Sequence, residues 1–193
     1  VNGIGYISLS SLDGSGLKAL KFKGVEASEE NVLNNTYELK RPFNYVTREL
    51  GNEASDKLVA AFVAFMNTKE GKATILSNGG IVENIDSAPT WNSIKENYPI
   101  VLENNAGVTV RFGGSTSVEK IAKALSAQFS PLAGNFKAEH NHTGSSDAFK
   151  RTQGSEKDGA NALSIGFLSR NFSQAETRKE NTFVWYLWLF WFA

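Results

Sequence analysis

The chain has 193 residues, enough for one sizeable core or for parts of two domains. Lys plus Arg and Asp plus Glu stand at 20 each, so no global field draws it to nucleic acid or an anionic membrane surface, and any anion site must be local. Cysteine is absent, which excludes disulfides, thiol nucleophiles and thiolate metal centres.

In chain order, Tyr6 to Leu9 and Leu20 to Phe22 read as short strands either side of Asp13-Gly14-Ser15-Gly16. Ser28 followed by Glu29 and Glu30 starts a helix, the hydroxyl capping free amides and the carboxylates opposing the dipole. Arg41 to Thr47 is the next strand, with Pro42 placing its beginning at an edge or crossover. Leu58, Ala61, Phe62 and Phe65 mark one helix face, and a second helix from about Lys69 to Leu76 stops at Gly79-Gly80. Periodicity then fades between Glu83 and Asn105, where only Trp91 to Glu96 reads as a short helix.

The run from Ala106 to Phe129 holds the clearest functional signal. Val108, Val110 and Phe112 alternate as in a half-buried strand, and Val118, Ile121, Ala122, Leu125 and Phe129 recur at helical spacing. Ser115, Thr116 and Ser117 therefore sit at a helix start, where free amides and the dipole favour an oxyanion. Phe136 to His140 reads as another strand, Thr143-Gly144-Ser145-Ser146-Asp147 as a second hydroxyl-rich loop entering a helix that ends near Gly154, and Ala162 to Leu168 as a buried strand delivering Ser169 and Arg170. Strand ends of an open α/β sheet are the ligand-facing edge, so three such loops point to one shared anion site with Arg170 as a charge-assisted contact.

These residues resemble the phosphate-binding proteins that feed ABC-type phosphate importers, which have two α/β lobes of the type II periplasmic-binding-protein fold. GSTSVEKIAKAL (114–125) resembles their first phosphate loop, TGSSDA (143–148) the second and IGFLSRNF (165–172) the third. The resemblance implies that Thr116, Ser117, Ser145 and Ser169 contact phosphate, with Ser115, Gly144, Ser146 and Arg170 as close neighbours. NGIGYISL, the crossover through Arg41 to Thr47 and AFVAFMNTKEGKATI resemble the opposite end of such a protein, so a C-terminal part precedes an N-terminal part. The expected organisation is a C-terminal module part at 1–82, a linker at 83–106, the N-terminal lobe-one part of a second module at 107–180 and an atypical aromatic tail at 181–193. The expected fold is α/β, a periplasmic-binding-protein-like lobe with a mixed open sheet flanked by helices, permuted or cut from a tandem.

The resemblance also implies a non-catalytic role, with inorganic phosphate as ligand, membrane permease subunits as partners and no cofactor or nucleic acid. It implies a monomer at an extracytoplasmic location, periplasmic or anchored to the cell surface, with the signal or anchor segment not in this chain. Two departures stand out. The lobe-two loop of the form Arg-x-x-Gly-Ser-Gly-Thr is missing, so half the clamp is absent and weakened affinity is expected. Some members carry Asp where Ser169 falls, which leaves Asp147 as the candidate proton acceptor for selecting phosphate over sulfate. The alternatives are a phosphoryl-transfer or phosphatase enzyme on the same loops, using Asp147 or the histidines, and an incomplete fragment without measurable binding. His140 and His142 share a strand face at metal-ligand spacing, but no third ligand accompanies them, so a polar strand exit is the expectation.

Overall fold

A computed structural model describes residues 15–177 and the backbone of a strand at 190–192. The expected strand at Tyr6 to Leu9 and the tail from 181 to 189 lie outside the described residues. Ser28 caps helix α1 (Glu29–Leu33), its hydroxyl accepting the Asn31 amide. Strand β1 (Arg41–Thr47), helix α2 (Ala54–Met66) and helix α3 (Lys69–Ser77) follow, as their patterns predict. A one-turn helix α4 (Trp91–Ile94) and two short 3₁₀ turns lead to strand β2 (Thr109–Gly114), which runs through a 3₁₀ turn at Thr116–Val118 into helix α5 (Glu119–Phe129). Strand β3 (Lys137–Asn141), helix α6 (Ser145–Thr152), strand β4 (Ile165–Leu168), the short helix α7 (Gln174–Thr177) and strand β5 (Phe190–Phe192) complete the order.

The strands form one mixed sheet in the order β3-β2-β4-β1-β5. β2 runs parallel to β3 and β4, β1 is antiparallel to β4 through Asn44↔Leu168 to Thr47↔Ile165, and β5 pairs with the first residues of β1. Pro42 lies before the part of β1 that β4 pairs, so its missing N–H removes no bond to β4. This mixed open sheet flanked by helices is the expected α/β architecture. β1 shares it with β2 and β4, so the early segment and the anion-loop segment build one core.

On one face, Phe43, Tyr45, Phe112, Ile165 and Phe167 pack with Leu58, Phe62 and Phe65 of α2 and Ile121, Leu125 and Phe129 of α5. Phe62 meets Phe112 edge-on at 5.0 Å and Phe129 at 5.7 Å, and Trp91 meets Phe129 at 5.2 Å. Each such pair contributes about 1 kcal/mol beyond the area it buries. On the other face, α6 lays Ala148 and Phe149 against Val46 and Leu168.

Two segments differ from expectation. Leu20 to Phe22 forms no strand: only an isolated bridge links Phe22 to Val25, and Leu17 and Leu20 are 61% and 60% exposed. The apolar residues there have no described neighbour strand to cover them, and without pairing a short run does not stay extended. The 83–106 stretch does more than connect. Trp91, Ile100 and Val101 enter the main core, and buried Asn105 donates from its amide to the carbonyls of Ile100, Glu103 and Ala133 at 2.8, 3.3 and 3.1 Å.

Candidate anion-binding site

The C-terminal ends of β2 and β4 lie side by side because the two strands are parallel neighbours, Gly114 standing opposite Phe167. Gly114 has φ +95°, and a Cβ there would come within 2.2 Å of the Phe167 carbonyl oxygen. That position admits only glycine on both conformational and steric grounds, and the sharp turn it allows aims Ser115 at the end of β4. The Ser115 amide then donates to the Phe167 carbonyl at 2.7 Å. Gly144 reaches φ +142° as it enters α6, and its amide donates to the Gly114 carbonyl at 2.8 Å, tying the second loop to the first.

The result is a cluster of three serine hydroxyls from three loops. Ser115 Oγ donates to Ser169 Oγ at 3.0 Å, Ser145 Oγ lies 3.3 Å from Ser169 Oγ, and the Ser169 amide donates to Ser145 Oγ at 3.0 Å. Ser115 Oγ also accepts the Ser117 amide at 3.2 Å. Ser115 is 3% exposed, Ser145 and Ser169 are half-buried, and Thr116, Ser117 and Ser146 are exposed. Two helical starts converge here: the 3₁₀ turn leading into α5, and α6, whose N-terminus has no side-chain cap. Their first amides have no intrahelical acceptor and carry the positive end of the dipole. Hydroxyls, free amides and open access suit a small oxyanion.

Arg170 sits apart from this cluster in its bonding. Its guanidinium makes a two-pronged ion pair with Glu176 at 2.8 and 2.9 Å and also donates to the Asn171 carbonyl. The pair holds the Glu176 carboxyl below its ordinary range and pushes Arg170 up, the side-chain hydrogen bond being the main cause in both. Asp147 lies in the first turn of α6 and accepts the Thr143 hydroxyl at 2.5 Å. Two cavities of about 350 and 330 Å³ lie elsewhere, one beside Arg111 and Arg151 and one beside Arg48 and Asp56. Neither is lined by the three serines, which form a shelf at the C-terminal ends of β2 and β4 beside the exposed Thr116, Ser117 and Ser146.

No family model matches the chain. Phosphate-binding protein PstS 2 of Streptococcus agalactiae is 28% identical over 176 residues, which is 91% of this chain and 53% of that protein. Phosphate-binding protein PstS 2 of Streptococcus pneumoniae is 43% identical over 77 residues, 40% of this chain and 25% of that protein. A crystal structure of a phosphate ABC transporter's phosphate-binding protein from S. pneumoniae superposes with a TM-score of 0.66 at 26% identity, covering 88% of this chain and 58% of that one. This chain is a distant homologue of the phosphate-binding proteins. It spans about half the length of the curated phosphate-binding proteins it matches.

The three hydroxyl-bearing loops meet at the ends of β2 and β4, and beneath the first of them lies a pair of histidines. His140 and His142 were expected as a polar strand exit, yet both are half-buried under the first loop. His140 stacks on Phe112 at 4.9 Å and on His142 at 5.5 Å, and His142 stacks on Phe167. The i, i+2 spacing that places both on one strand face was the available signal, and the β2–β3 register then sets His140 beside Phe112. Among the described residues no group of three potential ligands could hold a metal ion, and no helix is long and apolar enough to cross a membrane.

Proposed function

We propose that the chain binds inorganic phosphate reversibly, without catalysis, as part of a solute-binding protein of an ABC-type phosphate importer. The observation that carries this reading is the convergence of Ser115, Ser145 and Ser169 at two helical starts on one sheet edge. Ser145, Ser169, Thr116 and Ser117 would donate hydroxyl protons and Ser146 its backbone amide to the phosphate oxygens, while the Gly144 amide, held by the Gly114 carbonyl, keeps the second loop against the first. Ser115 is already bonded on both sides, so its role is to hold Ser169 and the turn at Ser117 in place. Distant homology to phosphate-binding proteins supports the choice of anion.

Arg170 is the least committed of the proposed contacts, because an anion must compete with Glu176 for its guanidinium. Asp147 would accept the proton of hydrogen phosphate once the Thr143 hydroxyl swings away. The histidines face each other and a backbone carbonyl rather than the hydroxyl cluster, so neither is placed to act as a base on a serine there. The proposed setting is extracytoplasmic, as a monomer that passes phosphate to membrane permease subunits. The proposed origin of the segment order is a piece of two modules at 1–82 and 107–180. Affinity of this chain should fall in the micromolar to millimolar range, because the exposed Thr116, Ser117 and Ser146 leave much of the anion solvated.

Calorimetry with phosphate, run beside an assay for hydrolysis of a phosphate monoester, tests the reading. Saturable heat without turnover supports it. Turnover, or no heat at millimolar phosphate, refutes it.

A further inference from the structure

A continuous hydrogen-bonded path runs beneath the first anion loop. Ser126 Oγ of α5 lies 2.9 Å from His140 Nε2, His140 Nδ1 lies 3.2 Å from His142 Nε2, and His142 Nδ1 lies 3.1 Å from the Ser115 carbonyl oxygen. A carbonyl only accepts, so His142 Nδ1 must carry a hydrogen, and that fixes every bond upstream. In the neutral state His140 Nδ1–H donates to His142 Nε2 and the Ser126 hydroxyl donates to His140 Nε2. One added proton reverses the path: His142 Nε2–H donates to His140 Nδ1, His140 Nε2–H donates to Ser126 Oγ, and the Ser126 hydroxyl turns to the Lys123 carbonyl, 3.1 Å away. A second proton would set N–H against N–H between the rings. The pair is therefore satisfied at two protonation levels that differ by one proton, and the charge lies on His142 when the path between the rings reverses and on His140 when only the Ser126 bond turns.

We propose that His140 and His142 are positioning residues that share one proton, so that anion capture at the Ser115, Ser145 and Ser169 hydroxyls is coupled to proton uptake by this pair. The inference rests on the phosphate reading above. Its physical basis is that His142 grips the carbonyl of the residue whose hydroxyl orients Ser169, so an imidazolium there places positive charge directly behind the anion shelf. The proton comes from bulk water, and no covalent bond is made or broken outside the relay. The charged groups around the pair are Glu119 and Lys123 of α5 and Arg151 of α6; β2 and β4 present the uncharged rings of Phe112 and Phe167. Burial holds both imidazoles below their ordinary range, Lys123 adds to this on both and Arg151 on His142, while Glu119 opposes it. The unliganded pair is therefore neutral near pH 7, and an arriving anion raises its proton affinity. By reciprocity, falling pH strengthens anion binding.

The test uses the whole chain and inorganic phosphate. Calorimetry at about pH 6, in buffers of different ionisation heat, counts protons taken up on binding, and titrations between about pH 5 and pH 7 give the pH dependence. His142→Asn keeps a donor at the Nδ1 position for the Ser115 carbonyl but cannot be protonated; His142→Ala removes both, and thermal melting confirms folding. The wild type should take up more protons than His142→Asn and gain roughly tenfold more affinity across that range, while the two bind alike at the alkaline end. Titration of phosphate itself is common to both and cancels. If His142→Ala does not fold, the Asn variant alone decides. Equal proton counts and parallel pH profiles would overturn the relay while leaving phosphate binding intact. Absence of phosphate binding in the wild type would overturn the functional reading and the relay with it.

Discussion

Replacing His140 with Phe should flatten the acid limb of the stability curve. In the native chain the ring is half-buried between Phe112, His142 and Ser126, and burial, the largest cause, brings its pKa down from 6.5 to about 4. The unfolded chain binds a proton near the ordinary value, so native stability is full above it and is lost as pH falls toward about 4. Each unit of separation corresponds to ~1.4 kcal/mol, so the gap amounts to about 3 kcal/mol, or roughly 2 kcal/mol once solvent screening of a half-buried ring is allowed for. Phe keeps the stacking area against Phe112 and cannot be protonated. Urea unfolding of both proteins at a series of pH values reads the effect as the difference between the two curves, with Glu119 and His142 as the neighbours that the change also touches. Between pH 7 and about pH 4 the wild type should lose roughly 2 kcal/mol more than His140→Phe. Parallel curves would show that the ring titrates freely and that its packing under the loop is not as described.

Gly114→Ala should destabilise by about 3 kcal/mol or more, seen as a large drop in melting temperature, because both φ +95° and the 2.2 Å approach to the Phe167 carbonyl exclude a Cβ. Asn105→Ala should cost about 2 kcal/mol in denaturant unfolding by removing the hydrogen bonds to three carbonyls, and Asn105→Asp more, since a carboxylate would face those same oxygens. If both variants unfold at the wild-type midpoint, the amide is not bridging these turns.

Local pattern carried most of the fold. Arg41 to Thr47 was legible as a strand with Pro42 at its beginning, and α2 and α5 from apolar residues at helical spacing. Leu20 to Phe22 failed because a strand is defined by its neighbour, and three apolar residues carry no information about whether one exists. Trp91 enters the core from a one-turn helix and Ile100 and Val101 from a 3₁₀ turn, elements too short to show a period. At the anion shelf, residue type revealed the three hydroxyl loops, but not that Arg170 would meet Glu176, a contact set by how α7 folds back. The histidine path depends on which rings stack under a turn, a tertiary relation that spacing alone leaves open.

The central claim is that serines from three loops hold one phosphate. Equilibrium dialysis with labelled phosphate, comparing the wild type with a Ser145→Ala, Ser169→Ala double variant of unchanged melting temperature, tests it most directly. The account predicts saturable binding in the wild type and a loss of at least about tenfold in the double variant, as expected for two hydrogen bonds to a charged ligand. Equal retention of label by the two proteins, or none by either, would contradict it.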